Sequence, residues 1–279
     1  MPDATVRALV AASGLPALDA RLLLAEVLGV SRERLVAFPE QLVAADAVVR
    51  FEALAARGRR GEPLAYLLGR REFYGRAFNV SPAVLVPRPE SELLVDLALE
   101  ALRGHAAPRV LDLGTGSGCI AITLALARSD AEVVATDVSA AALAVARANA
   151  QALGASLRWV ASDWYEALAG HFDLIVSNPP YVAAGDPHLA ALACEPIDAL
   201  TDHADGLDCL RRIVAGAPAH LRPGGWLLVE HGYDQGARVR QLLADAGLQG
   251  VRTVRDIAGH ERVGIAQSAG EARSGDRAG

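Results

Sequence analysis

From residue 109 onward, short apolar runs alternate with helical segments, and this alternation narrows the possible folds sharply. Strand, helix and strand in repeated succession are typical of a parallel sheet with helices on both faces. The sequence therefore predicts a doubly wound α/β domain. The predicted strands are 109–113, 132–137, 157–161, 172–177 and 226–230, with a helix over 140–153 and a final hairpin of 251–256 and 262–266.

The segment before this domain has a different pattern. Apolar residues recur at helical spacing over 4–68, which predicts a small helical bundle. Aromatic residues around Gly75 predict a short hairpin over 71–80, and a helix is predicted to begin at Pro89. The predicted organisation is a helical domain over 1–70, a hairpin and extended linker over 71–88, an α/β domain over 89–267 and a disordered tail over 268–279.

Composition excludes several classes of protein. A net charge of -6 and a pI near 5.7 argue against binding over a wide area of nucleic-acid phosphates. Cys119, Cys194 and Cys209 form no C-x-x-C pair and are odd in number, so neither a disulfide framework nor a zinc cluster is indicated. No leader or membrane-spanning stretch is evident. We expect a monomeric, cytoplasmic, metal-free protein with no membrane partner and no stable nucleic-acid partner.

The stretch VLDLGTGSGCIAITLALA carries glycines at 114, 116 and 118 between a predicted strand and an apolar helix. Such glycines let a ligand approach the backbone beside a helix amino terminus. The third glycine comes one residue earlier than in the fingerprint that seats a dinucleotide pyrophosphate. Asp137 ends the next strand, where it either accepts ribose hydroxyls or caps the following helix. A ligand with a ribose but no pyrophosphate is favoured, and therefore S-adenosylmethionine over NAD.

The stretch FDLIVSNPPYV predicts a strand that is buried on both faces and ends in Asn178-Pro179-Pro180-Tyr181. Proline cannot donate to a sheet, and it disfavours the helical region for the residue before it. Asn178 and Pro179 are therefore held extended where the strand leaves the sheet. One interpretation is a stiff loop that closes the strand. The other is a site at which these polar groups face a ligand.

The order of GTGSG, Asp137 and NPPY resembles the class I S-adenosylmethionine-dependent methyltransferases that act on an exocyclic or amide nitrogen. Further segments are similar to the HemK or PrmC family, the peptide chain release factor glutamine methyltransferases. They are GEPLAYLLGRREFYGRAFNVSPAVLVPRPESELLV (61–95), SDWYEAL (162–168), CEPIDAL (194–200), DGLDCLRRI (205–213) and LRPGGWLLVEHGYDQG (221–236). The resemblance spans nearly the whole chain. His231 and the stretch Asp202-His203-Ala204 depart from the pattern of the family.

The resemblance implies a Rossmann-like domain with S-adenosylmethionine as cofactor and class 1 release factors as partners. The expected reaction methylates the side-chain nitrogen, N5, of the glutamine in their Gly-Gly-Gln motif. It also implies that Trp164 contacts the adenine. The expected cofactor-binding residues are Gly114, Thr115, Gly116, Ser117, Gly118, Asp137, Trp164 and Asn178. The expected substrate-binding residues are Asn178, Pro179, Pro180 and Tyr181, and Asn178, Pro179 and Tyr181 are the expected catalytic residues.

The chemistry of an amide explains why NPPY suits this reaction. An amide nitrogen is a poor nucleophile because its lone pair is delocalised into the carbonyl. Acceptors aimed at its two hydrogens orient it, and the Asn178 side-chain oxygen and the Pro179 carbonyl are the candidates. Tyr181 offers a flat face to the planar amide. The alternatives are a DNA adenine-N6 methyltransferase, a ribosomal-protein glutamine methyltransferase and a binding module that has lost catalysis.

Other chemically reactive residues have plainer interpretations. Cys119 begins the helix after the glycines, where it is either a small buried residue or a nucleophile. Six arginines crowd the region between the predicted domains, where they form either a solvated face or a docking surface for a protein substrate. These are Arg57, Arg59, Arg60, Arg70, Arg71 and Arg76.

Overall fold

The computed structural model of the protein describes residues 4–270. By its internal contacts the chain divides into two compact units, with the boundary between Arg71 and Glu72. The tail that is expected to be disordered, 268–279, lies from residue 271 onward outside the described residues.

The first unit consists of helices whose boundaries are encoded locally. The Thr5 hydroxyl accepts a hydrogen bond from the Ala8 backbone amide at 3.2 Å, and Ser31 caps a later helix in the same way. The helices are α1 (Val6–Ala12), α2 (Ala17–Leu28), α3 (Arg32–Ala37), α4 (Ala45–Arg59) and α5 (Leu64–Leu68). Leu23 and Phe51 are fully buried in its core, as the predicted helical bundle requires.

The hairpin predicted around Gly75 is present. Its strands are β1 (Arg70–Phe73) and β2 (Arg76–Asn79), and Gly75 takes a positive φ of 71° at the turn. The Phe73 and Phe78 rings meet edge to face with centroids 6.1 Å apart. The helix predicted from Pro89 begins as a 3-10 turn and continues as α6 (Glu92–Ala101).

The second unit is built around a sheet of seven strands in the described residues. Its spatial order is β5-β4-β3-β6-β7-β9-β8, parallel from β5 to β7 and antiparallel at β9 and β8. The strands are β3 (Arg109–Leu113), β4 (Glu132–Asp137), β5 (Arg158–Ala161), β6 (Phe172–Ser177), β7 (Leu221–Glu230), β8 (Gln249–Arg255) and β9 (Glu261–Gln267). The helices that follow α6 are α7 (Cys119–Ala127), α8 (Ala140–Leu153), α9 (Asp208–His220) and α10 (Gly236–Asp245).

These strands confirm the predicted α/β alternation, with one notable shift. β7 begins at Leu221 rather than at residue 226, because Leu221 already pairs with Phe172 of β6. The ladder then shifts register between Phe172 and Leu174, where the Pro223-Gly224-Gly225 stretch interrupts regular pairing. Because proline and glycine are unfavourable inside a strand, the sequence predicted a start of β7 that is too late.

The sheet positions the ends of its central strands at one edge. All six residues of β6 are buried, as expected for a central strand covered by helices on both faces. β3 lies between β4 and β6: the chain adds β4 and then β5 on one side of β3 and afterwards crosses to β6 on the other side. Ligands bind doubly wound sheets at such a switch point, beyond the carboxyl ends of the strands. The glycine loop and NPPY follow strands that end there, and Asp137 is the last residue of another such strand, β4.

Among the described residues, none of the helices combines the length and the apolar character that crossing a membrane requires.

Candidate active site

The glycine-rich loop follows β3 and leads into α7. Gly114, Gly116 and Gly118 all have positive φ, at 72°, 55° and 81°. A Cβ at Gly118 would lie 2.8 Å from Ile122 Cδ1 and 3.1 Å from Ala146 Cβ, so this glycine lets α7 and α8 pack closely. A Cβ at Gly116 would meet no atom within 4 Å. The backbone is therefore bare at Gly116, where a ligand can approach it.

Asp137 ties the end of β4 to this loop. Its Oδ2 accepts a hydrogen bond from the Gly116 backbone amide and its Oδ1 one from the Ser139 amide, both at 2.9 Å. Burial raises the pKa of Asp137, and these hydrogen bonds oppose the rise. The alternative in which Asp137 caps α8 is wrong, because the Ser139 hydroxyl caps that helix through the Ala142 amide at 3.2 Å. Each carboxylate oxygen keeps acceptor capacity for a ligand hydroxyl.

A cavity of about 420 Å³ opens beyond these strand ends. Beside Asp137, the Val138 side chain lines the cavity with 74% of the residue exposed, an apolar surface next to a carboxylate. A bare glycine backbone, a carboxylate and an apolar wall fit a ribose with its attached base. The predicted residues that line the cavity are Gly114, Thr115, Gly116, Ser117, Asp137, Trp164, Asn178 and Pro180. Of the other predicted residues, all in the described part of the chain, Gly118, Pro179 and Tyr181 do not line it.

Trp164 forms part of the cavity wall through an unusual backbone conformation. Its φ of 47° lies in the left-handed region, which is strained for a residue with a bulky side chain. The Ser162 hydroxyl donates to the Trp164 carbonyl at 2.9 Å and stabilises this turn. The indole ring lies 3.6 Å from the position of a Cβ on Gly114. The turn therefore sets the ring against the glycine loop.

Asn178 is connected to two buried residues that are distant in sequence. Asn178 Nδ2 donates to Ser91 Oγ at 2.9 Å, and Ser91 Oγ donates to Glu230 Oε2 at 2.7 Å. The Tyr181 hydroxyl donates to the other oxygen of the same carboxylate, Glu230 Oε1, at 3.2 Å. Ser91 is 2% exposed and Glu230 is 1% exposed. Both ends of NPPY therefore converge on one carboxylate.

The position of Tyr181 is fixed by its backbone as well. Its carbonyl accepts a hydrogen bond from Gln235 Nε2 at 2.9 Å, and the same nitrogen donates to the Gly206 carbonyl at 3.0 Å. Gly206 has a φ of 80°, and a Cβ there would lie 2.5 Å from the Tyr181 carbonyl oxygen, so glycine is required. Burial raises the pKa of the Tyr181 hydroxyl, and the charge of Glu230 adds to the rise. The hydroxyl therefore stays protonated as a donor.

The extended linker before α6 is joined to the segment that follows NPPY. Glu195 is buried, and its Oε2 accepts a hydrogen bond from the Val86 backbone amide at 3.0 Å. Its other oxygen forms an ion pair with the Arg88 guanidinium. Arg88 also lines the cavity. The PRPE and CEP segments therefore meet in one ion pair at the cavity wall.

Asp112 lies buried behind the glycine loop. Its Oδ2 accepts a hydrogen bond from the Thr115 hydroxyl at 2.6 Å, whereas its Oδ1 has no partner among the described residues. Burial raises the pKa of Asp112 to about 7; the Thr115 hydroxyl opposes the rise and the charge of Asp137 adds to it. The carboxyl therefore titrates near neutral pH.

Two other buried residues, Cys119 and His231, have side chains that burial keeps uncharged. Cys119 is buried at the cavity wall, and burial raises the pKa of its thiol to about 12, which favours the interpretation as a small buried residue over that as a nucleophile. His231 is fully buried, its Nδ1 lies 2.7 Å from the Gly232 carbonyl, and burial lowers its pKa. No cluster of three or more His, Cys, Asp or Glu with metal-site geometry occurs among residues 4–270.

Most of the six arginines are used within their own unit. Arg57 forms an ion pair with Glu62 at 2.5 Å, and Arg70 forms one with Glu26 at 2.5 Å. Arg60 is exposed and, within the described part of the chain, has no ion pair. Arg71 is likewise exposed and without an ion pair among the described residues. In contrast, Arg59 donates to the Ser13 carbonyl and Arg76 donates to the Tyr74 carbonyl.

The sequence did not identify Ser91, Glu230, Glu195 or Arg88 as site residues. Glu230 ends the apolar run WLLVE, and a charged residue at the end of a buried strand is a signal that was available. Ser91 and Arg88 lie in the PRPESE segment, which was informative only as a resemblance. The contacts of these four residues join segments that are far apart in the sequence, so the spacing of the residues does not predict them.

The fold and the site define a class I S-adenosylmethionine-dependent methyltransferase. In agreement, the Thermus thermophilus 16S rRNA N2 G1207 methyltransferase in complex with AdoMet and guanosine matches with a TM-score of 0.54 and 28% identity. The match covers 71% of this chain and 49% of that chain. Residues 3–69 match the family described as PrmC N-terminal domain, and residues 91–199 match the Methyltransferase small domain.

Relatives over the whole chain identify the family. A Bordetella pertussis protein named release factor glutamine methyltransferase is 55% identical over 259 residues, 91% of this chain and 96% of that one. A Burkholderia pseudomallei protein with the same name is 53% identical over 269 residues, covering 93% and 94% of the two chains. The chain belongs to the family of release factor glutamine methyltransferases.

Proposed function

We propose that this chain transfers a methyl group from S-adenosylmethionine to N5 of the glutamine in the Gly-Gly-Gln motif of class 1 release factors, and so supports translation termination. The observation that carries this proposal is the state of Asn178. Its side chain lines the cavity and its Nδ2 donates one hydrogen bond to Ser91, whereas its Oδ1 has no hydrogen-bond partner among the described residues. The Asn178 Oδ1 therefore remains as an acceptor for a substrate N–H, which a glutamine amide supplies.

The residues around the glycine loop would hold the cofactor. The Asp137 carboxylate accepts the ribose hydroxyls, the bare backbone at Gly116 allows close approach, and Val138 and Trp164 offer apolar surface to the adenine. S-adenosylmethionine, when bound, supplies an electrophilic methyl group on a positively charged sulfur. The Asp137 carboxylate at this end of the sheet favours binding of that cation.

The residues of NPPY would act on the substrate amide. Asn178 Oδ1, at the cavity wall, and the carbonyl of the adjacent Pro179, whose side chain lies behind that wall, would accept its two hydrogens. This arrangement would turn the nitrogen lone pair toward the methyl donor and favour the pyramidal form. Tyr181 restricts the position of the amide, and the rigid prolines hold the acceptors without further loss of entropy. The excess proton leaves to water after transfer, so no strong general base is needed.

The helical unit would supply affinity for the protein substrate. A release factor needs contacts beyond one glutamine, and the exposed Arg60 and Arg71 have charges that no described residue neutralises through an ion pair. Translation termination takes place in the cytoplasm, so a release-factor substrate supports a cytoplasmic location. We propose a monomer with no stable nucleic-acid or membrane partner, because the net charge of -6 is unfavourable to both polyanions and acidic lipid surfaces.

The test is methyl transfer from labelled S-adenosylmethionine to a purified class 1 release factor. The parallel reactions contain the release factor with its Gly-Gly-Gln glutamine replaced by alanine, adenine-rich duplex DNA, and Asn178→Ala enzyme as a control for contaminating activity. We expect label only in the unaltered release factor with unaltered enzyme. Label in the DNA, or equal label in the glutamine-to-alanine factor, would contradict the proposed substrate.

A further inference from the structure

The contacts of Asn178 lead from the cavity wall, which Ser91 also lines, into a buried network of hydrogen bonds. Asn178 Nδ2 donates to Ser91, Ser91 donates to Glu230, and Tyr181 donates to the same carboxylate. Ser91 lies at the start of α6 and Glu230 at the end of β7, so three separate segments supply the network. Neither Ser91 nor Glu230 is needed to bind the cofactor in the function proposed above.

The direction of each hydrogen bond in this network follows from the number of hydrogens that each group carries. Burial raises the pKa of Glu230, and the hydrogen bonds from Ser91 and Tyr181 and the charge of Arg262 oppose the rise. In its ionised form the carboxylate has acceptor oxygens only, so Glu230 accepts from both hydroxyls that reach it. Ser91 has one hydroxyl hydrogen, which goes to Glu230, and its oxygen can then only accept from Asn178. The amide of Asn178 must therefore present its NH₂ group to Ser91, whichever of its two orientations would otherwise be preferred. Its Oδ1 has no hydrogen-bond partner among the described residues and is left for the cavity.

We propose that Ser91 and Glu230 are positioning residues that fix the orientation of the Asn178 amide and so make the site select a nitrogen that carries hydrogens. This inference rests on the proposed glutamine methylation. A reversed amide would present N–H groups to the N–H groups of the substrate. The site would then repel the amide nitrogen that it must orient. The carboxylate also links Asn178 to Tyr181, so one buried group aligns both ends of NPPY.

The first variant is Glu230→Gln, which keeps the shape of the side chain. An amide has a single oxygen, so it cannot accept from both Ser91 and Tyr181. When its NH₂ group faces Ser91, the serine hydrogen turns to Asn178 and stabilises the reversed amide. We expect kcat to fall by about 10-fold to 100-fold, the range of a misplaced reacting group, with the cofactor Kd changed by less than about twofold.

The decisive experiment is a double-mutant cycle in the full chain with Ser91→Ala, Asn178→Ala and the double variant. If Ser91 acts only through Asn178, Ser91→Ala lowers kcat by about 10-fold in the wild-type background and has no further effect in Asn178→Ala. Ser13→Ala is the matched control, because Ser13 is also fully buried and its hydroxyl donates to the Val10 carbonyl at 2.8 Å. Its kcat should equal that of the wild type.

The possible outcomes separate this inference from the proposed function. Wild-type enzyme that does not methylate the release factor overturns the proposed function. Active wild-type enzyme with additive effects of Ser91→Ala and Asn178→Ala overturns only the positioning role. Cofactor affinity by calorimetry confirms that each variant is folded. If Glu230→Gln does not fold, the Ser91 cycle alone decides the question, since its variants remove one hydroxyl and one amide.

Discussion

The ends of β4 and β6 face the same cavity, but different kinds of contact hold them. Asp137, at the end of β4, is fixed by the backbone amides of Gly116 and Ser139, which are 21 and 2 residues away. Asn178, at the end of β6, is fixed by the side chain of Ser91, 87 residues away, which is itself bound to Glu230, 139 residues further along the chain. The end of β4, where we propose that the cofactor binds, is therefore held by local contacts. The end of β6, where we propose that the substrate amide binds, is held by long-range contacts.

This difference suits the roles that we propose for the two ends. A backbone amide cannot be changed by substitution of its side chain, so the loop offers the cofactor a constant set of donors beside one carboxylate. The substrate end depends on a side-chain amide that has two possible orientations, and such a group needs neighbours that determine its direction. We therefore expect substitutions at the β4 end to change affinity and substitutions at the β6 end to change rate.

The largest effect is expected for Asn178→Ala. It removes an acceptor that acts on the amide as it becomes pyramidal, and loss of one such preorganised group lowers kcat by about 10²-fold to 10³-fold. Asn178→Asp keeps an acceptor but sets a second carboxylate against Ser91, so its kcat should lie between those of alanine and the wild type. Steady-state kinetics on a release factor, with circular dichroism to verify folding, measure both. A near wild-type kcat for Asn178→Ala would mean that NPPY is only a stiff turn that ends the strand.

The next largest effect is expected for Asp137→Ala. It removes charge-assisted hydrogen bonds to the ribose, worth about 1.5 to 3 kcal/mol, so the Kd for S-adenosylmethionine should rise by about 10-fold to 150-fold. Isothermal calorimetry measures the change. The control is Glu132→Ala, an exposed carboxylate at the opposite end of β4 that pairs with Arg109. Unchanged affinity in folded Asp137→Ala would leave Asp137 with only its contacts to the loop and to α8.

The third prediction concerns pH and the acid behind the loop. The folded pKa of Asp112 is raised to about 7, so the native state holds this proton more tightly than the unfolded chain does. Its contribution to stability is full below the unfolded pKa and is lost as pH rises toward about 7. The free energy of unfolding of the wild type should therefore fall relative to Asp112→Asn between about pH 4 and 7, by at most about 1.4 kcal/mol per pH unit.

Urea unfolding of both proteins at several pH values measures this difference. Above pH 7 the difference should be constant, because Asp112 is then ionised in both states. A difference that does not change across the range would mean that the buried carboxyl keeps its ordinary pKa. Such a result would also mean that the charge of Asp137 does not raise the pKa of Asp112.

The smallest effect is expected at the arginines of the helical unit. Arg60→Glu and Arg71→Glu should each raise KM for a full release factor by about threefold to tenfold, and the effect should weaken as salt is added. The rate of transfer to a short peptide that contains Gly-Gly-Gln should not change. Arg103→Glu, an exposed arginine of the other unit, is the control for net charge. Equal KM changes for all three variants would argue against docking on the helical unit.

Sequence reasoning predicted the local end of the site far better than the long-range end. The glycine spacing and Asp137 lie within one strand-helix-strand stretch, where periodicity and chain direction determine which residues meet. Nothing in the spacing of Ser91, Asn178 and Glu230 predicts their contact, because it depends on how the start of α6 lies over the ends of β6 and β7. The alternative of Asp137 as the cap of α8 is wrong for a similar reason. Asp and Ser are both good capping residues, so the sequence did not distinguish Asp137 from Ser139, which caps the helix.

The most direct test of the contrast between the two ends is single-turnover methyl transfer to a release factor at saturating S-adenosylmethionine. We expect Asp137→Ala to recover to within about threefold of the wild-type rate, because saturation compensates for lost affinity. Asn178→Ala should remain at least about 10²-fold slower, because no cofactor concentration restores the orientation of the amide. Recovery of Asn178→Ala at saturation, or a persistent defect of equal size in Asp137→Ala, would contradict the division between a cofactor end and a substrate end.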